Sequence, residues 1–159
     1  MSKIRNIENN VLIDIQLVIN ENLDVNTSKS DYEKWVPFTL KFDVDGRITG
    51  YNEADNATFT LYEVKKLIEI LEEVIINKRI GKELKKVEFV CSESFFSIIF
   101  DETYEENQVY VELWLNTAIS SKGHICGYEE GVKFVTSLDD IETFKYSISN
   151  DLNRVLKNI

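Results

Sequence analysis

The chain has little of what enzymes usually draw on. One histidine, two cysteines, one proline and six glycines are spread through 159 residues. A structural zinc centre takes about four Cys or His ligands, and a catalytic one about three, usually in closely spaced pairs. His124, Cys91 and Cys126 are all the chain has, and they form no such pairing. No glycine-rich phosphate loop and no nucleophile-elbow serine occurs, so nucleotide binding and serine-type acyl transfer lack their usual machinery. No apolar run reaches the roughly 18 residues of a membrane helix, and Met1 to Asn10 lacks the continuous apolar segment of a secretory signal. Nor does any Pro-, Gly- or Ser-rich linker or internal repeat divide the chain. Residues 1–159 are therefore expected to form a single globular domain in the cytoplasm, with no metal, no cofactor and no membrane partner.

What is present is apolar, aromatic and acidic. A 43% apolar and 11% aromatic content excludes a disordered acidic chain, which would be poor in aromatics. The length suffices for one sizeable core. Ile13, Ile15, Leu17 and Ile19 alternate with other residues as one face of a strand. Asn20 to Lys34 is polar and reads as a long loop. Phe38, Leu40, Phe42 and Val44 alternate again, and Asp45-Gly46 follows as a hairpin signal, with Arg47 to Tyr51 returning. A short strand is expected at Ala57 to Phe59. Thr60 and Glu63 have the spacing of a capping box, which starts a helix from Leu61 to about Arg79. Val87–Cys91, Phe95–Phe100 and Gln108–Asn116 read as an antiparallel meander, with a further strand around Gly131–Val135. Ser137 caps a last helix whose stripe is Leu138, Ile141, Phe144, Ile148, Leu152 and Val155. The pattern predicts an α+β fold, a mostly antiparallel sheet of six to seven strands with two amphipathic helices on one face, in the order βββ-α-ββββ-α.

The candidate chemistries are thin. His124 and Cys126 lie two apart in Ser120-Ser-Lys-Gly-His-Ile-Cys-Gly127 and would need Cys91 or a carboxylate to complete a metal or nucleophile site. So few ligands favour a loop histidine and an unreactive thiol, with Cys91, after the alternating Val87 and Phe89, a buried one. Paired carboxylates such as Glu105 and Glu106 fall in polar turns, where solvated charge is the ordinary state. Asp43-Val-Asp45-Gly46 begins like a calcium loop, but the later ligands are missing.

Charge carries more information. There are 28 acidic and 18 basic residues, a net charge of −10. Lys78, Arg79, Lys82, Lys85 and Lys86 gather at the end of the first helix, where cations suit the dipole. An acidic balance elsewhere argues against direct nucleic-acid binding, which wants a broad basic face. Asp101, Glu102, Glu105, Glu106 and Glu112 form the densest acidic segment, interleaved with Tyr104, Tyr110 and Trp114. Read plainly this is a solvated turn and strand; read functionally it is a docking face for a basic protein, with aromatic anchors in a charged rim.

The run of segments also resembles a family. The Trp35–Val44 strand, Thr-Leu-Tyr-Glu-Val at 60–64, Lys86-Val-Glu-Phe-Val with Phe95-Phe-Ser-Ile-Ile-Phe100, Tyr110-Val-Glu-Leu-Trp-Leu115 and the helix after Phe134-Val-Thr-Ser137 resemble, in order, the WapI-type immunity proteins. The resemblance implies a bacterial protein without catalytic residues that neutralises a cognate polymorphic or contact-dependent toxin domain by occlusion. Many such toxins are nucleases with basic faces, which an acidic inhibitor complements. The other reading is a small cytoplasmic α+β adaptor or regulatory module with a protein ligand.

Overall fold

The computed structural model describes residues 2–157. Its strands are β1 (Ser2–Arg5), β2 (Val11–Leu17), β3 (Trp35–Val44), β4 (Arg47–Tyr51) and β5 (Thr58–Thr60), then β6 (Val87–Val90), β7 (Phe96–Asp101), β8 (Gln108–Asn116) and β9 (Glu129–Ser137). Helix α1 (Leu61–Arg79) separates the two sets, α2 (Thr117–Ser120) is one turn after β8, and α3 (Leu138–Lys157) follows β9. The α+β class and the order of elements follow the sequence pattern. Three features are additional: β1 joins the strands, α2 adds a turn of helix between β8 and β9, and the strands divide into two antiparallel sheets. The first has the order β1-β2-β3-β4 with β5 also on β3, and the second the order β6-β7-β8-β9.

Local chemistry accounts for most boundaries. Asp45 (φ 50°) and Gly46 (φ 88°) make the two-residue left-handed turn that closes Val44 onto Arg47. The Asp43 carboxylate accepts from the Gly46 N–H at 2.9 Å. At α1 the capping box is complete: Thr60 Oγ1 accepts from the Glu63 N–H at 3.2 Å, and Glu63 accepts from the Thr60 N–H at 2.7 Å. The Ser137 hydroxyl accepts from the Asp140 N–H at 3.1 Å, starting α3. Strand β2 ends at Leu17, two residues before Ile19, which is exposed.

One continuous cluster of buried residues takes in the inner faces of both sheets and the apolar stripes of α1 and α3. The stripe of α3 is the one its sequence spacing predicts. In α1, Leu61, Val64, Leu67, Ile70, Leu71, Val74 and Ile75 are buried, and Ile68 is partly buried against them. Phenylalanines knit the sheets together: Phe38 of β3 stacks on Phe59 of β5 at 4.1 Å between centroids, and both meet Phe96 of β7 edge-on at 5.7 Å. The Tyr51 hydroxyl, at the end of β4, donates to the Phe95 carbonyl at 2.5 Å. Beyond the last pair of β1, Ile7 donates to the Val135 carbonyl of β9 at 3.1 Å, and Thr136 Oγ1 donates to the Arg5 carbonyl at 2.6 Å. The two sheets therefore meet along β1 and β9.

Candidate functional site

Strand β8 places the aromatic and acidic residues by simple alternation. Val109, Val111, Leu113 and Leu115 are buried, which turns Tyr110, Glu112 and Trp114 outward. Register extends that outer face across the second sheet. Ile99 of β7 and Lys133 of β9 flank Glu112, while Ser97 and Gly131 flank Trp114. The Trp114 indole N–H donates to Glu112 at 3.2 Å, and Lys133 lies 3.5 Å from the same carboxylate. The indole hydrogen bond foremost, then Lys133, holds the Glu112 carboxyl below the usual range despite partial burial. The Lys133 ammonium also sits 4.9 Å from the centre of the Tyr110 ring. Trp114 lies against β9 because residue 131 is glycine: a Cβ there would come within 2.4 Å of the indole.

The acidic turn between β7 and β8 divides into working parts. Tyr104 is fully exposed, and Glu105 and Glu106 are exposed beside it. Asp101, opposite Tyr110 in the register, accepts from the Glu102 N–H at 2.8 Å and shapes the turn. Glu102 faces inward instead. It pairs with Lys78 at the end of α1, whose side chain is only 4% exposed. It also accepts from the Leu84 N–H at 2.6 Å and the Thr103 N–H at 3.1 Å, while the Glu105 carbonyl accepts from Lys78 at 3.0 Å. Burial pushes the Glu102 carboxyl up, but Lys78 and these N–H groups outweigh it and hold the group below its ordinary value. Of the acidic and aromatic residues singled out in the sequence, Tyr104, Glu105, Glu106, Tyr110, Glu112 and Trp114 thus present themselves outward, and Glu102 works as an internal latch.

The remaining candidates go to separate surroundings. Cys91 is fully buried after β6, its Sγ 3.8 Å from the Thr58 carbonyl, and burial foremost pushes its thiol up to about 12. A thiol so raised stays protonated and unreactive at neutral pH. Cys126 is exposed, with its Sγ 3.7 Å from the Gly123 carbonyl in the loop after α2. Both cysteines are free, and among the described residues no three His, Cys, Asp or Glu side chains gather as metal ligands. No helix among them is long and apolar enough to cross a membrane.

Two grooves escape a residue-by-residue reading because each is built from several strands. One, of about 950 Å³, runs over the outer face of the first sheet, from Asp14 and Lys41 to Glu53 and Ile48, under Ile125 of the loop after α2. Its acidic walls are largely neutralised from within: Glu130 pairs with Arg47 at 2.6 Å, and Asp14 lies 3.8 Å from Lys3. The other, of about 300 Å³, crosses the outer face of the second sheet at Trp114.

No curated protein matches the chain in sequence. The family description "Immunity protein WapI-like family" matches residues 3–158, nearly the whole chain, and takes in both sheets and all three helices. The chain belongs to the WapI-like immunity protein family.

Proposed function

We propose that this protein acts in the bacterial cytoplasm by binding a cognate toxin domain and covering that domain's working face, without catalysis of its own. Its family is one of immunity proteins, which supports an immunity role in general. The observation that carries the mode of action is the outer face of the second sheet. There Tyr110, Glu112 and Trp114 stand in one row, continuous at Asp101 with the exposed turn of Tyr104, Glu105 and Glu106. Aromatic side chains with a charged rim are the composition of binding hot spots. The net charge of −10 suits a basic partner, such as a nuclease with a cationic substrate cleft.

The test is direct. The toxic domain encoded next to this gene, inactivated by substitution, is titrated with the purified protein, and co-expression is scored for survival. Wild-type protein is expected to bind and protect. Trp114→Ala is expected to weaken binding by about thirtyfold, the scale of a hot-spot truncation. Absence of both binding and protection by the wild type would end this reading.

A further inference from the structure

The groove at Trp114 has an apolar middle and acidic ends. Val90, Ile99 and Trp114 line it, together with Ser94, Phe96 and Ser97. Val90 is 57% exposed, a large apolar surface on an outer strand. Glu88 stands at the β6 side and Glu129 at the β9 side. Both are exposed, and neither forms an ion pair among the described residues. That sets them apart from Glu112 beside them, which Lys133 and the Trp114 indole already engage. The groove crosses the strands, since its lining comes from β6, β7, β8 and β9. The register puts Glu88 in the row of Lys133, four residues along β9 from Glu129. Three strand spacings across and four residues along therefore separate the two ends, a diagonal of about 20 Å.

From this we infer that the groove receives an extended segment of the toxin domain that crosses the sheet obliquely, with an apolar side chain at its centre and a lysine or arginine toward each end. The inference rests on the occlusion reading and names the part of the partner that docks. An extended chain puts side chains i, i+2 and i+4 on one face and spans about 13 Å between the outer two, and the long stems of two outward-reaching cationic side chains cover the rest of the diagonal. Its middle side chain meets Val90, Ile99 and the Trp114 ring, and its outer cations reach Glu88 and Glu129. Arginine fits the ends well, because its planar guanidinium forms paired hydrogen bonds to a carboxylate and stacks on aromatic faces. An acidic or uncharged segment would leave both carboxylates uncompensated.

Two measurements separate this inference from the reading beneath it. The first needs no toxin: isotope-labelled protein is titrated with the blocked peptide Arg-Thr-Val-Thr-Arg, and with Glu-Thr-Val-Thr-Glu as control. The basic peptide is expected to shift the Trp114 indole and the Val90 and Ile99 methyl resonances saturably, and Glu88→Gln/Glu129→Gln is expected to remove the effect. Equal response to both peptides, or an unchanged response in the double variant, would overturn the inference. The second uses the whole toxin domain. Each single exchange is expected to weaken binding by about tenfold, the scale of a charge-assisted hydrogen bond, while Glu53→Gln, in the other groove, leaves it unchanged. Full affinity in the double variant alongside tight wild-type binding refutes the groove's role and spares the occlusion reading. A wild type that fails to bind the toxin refutes the occlusion reading, and the peptide titration still decides the groove's chemistry.

Discussion

At the scale of single residues, the acidic segment is two kinds of carboxylate with different work. Glu102 neutralises Lys78, a nearly buried ammonium, across 24 positions of sequence. Removing Glu102 leaves the Lys78 charge without its counter-ion, with only the Glu105 carbonyl still accepting from it. Glu102→Ala is accordingly expected to lower stability by about 3 kcal/mol, whereas Glu106→Gln, at an exposed position, should stay within about 0.5 kcal/mol; urea unfolding of both variants checks this. The pH dependence has a definite sign. The folded Glu102 carboxyl titrates below its unfolded value, so the unfolded chain takes up the proton first as pH falls. The latch therefore contributes fully above the ordinary carboxylate range, near pH 4.3, and its contribution is lost on acidification through the folded pKa. Glu102→Gln should flatten the wild-type fall in stability over that window. If the two curves run parallel, the latch has no electrostatic share in stability.

At the scale of elements, most of the fold is legible where a short-range signal suffices. Asp45-Gly46 announces its hairpin because only two adjacent residues set that turn, and the stripe of α3 is visible because 3.6-residue spacing is local. Ser2–Arg5 has Ile4 as its sole apolar side chain and becomes a strand through pairing with β2. The split into two sheets is hidden for a similar reason: alternation says which face of a strand is buried, not which strand lies beside it. Tyr110, Glu112 and Trp114 could be assigned to one face from β8 alone. The inward turn of Glu102 and the groove between Glu88 and Glu129 depend on partners far away in sequence. Glu63 illustrates such reach. Besides closing the cap of α1 it accepts from the Ser92 N–H beyond β6, so it ties the helix start to the second sheet. Thr60→Ala is expected to cost about 1 kcal/mol through the cap alone, and Glu63→Ala about 2 kcal/mol, since it loses both connections. Equal losses in chemical denaturation would mean that the bond to Ser92 adds nothing.

At the scale of the whole molecule, the proposed binding divides into two parts, with net charge setting encounter with a basic partner and the outer sheet face setting fit. Association with a basic toxin domain should slow by about tenfold between roughly 0.02 and 0.5 M salt, with dissociation much less affected. Stopped-flow measurements at several ionic strengths read this directly, and a flat rate would assign the acidity to solubility. The seam between β1 and β9 has a consequence for synthesis. Ile7 and Arg5 bond to Val135 and Thr136, so the earliest strand waits for nearly the last one. While the ribosome is still adding β8, the edge of β1 has no neighbour and the inner face of the first sheet lacks α3. Such long sequence separation slows folding and leaves strand edges open to misassociation meanwhile. The first sheet thus stays open along β1 until β9 has formed, which makes the seam one of the late events of folding.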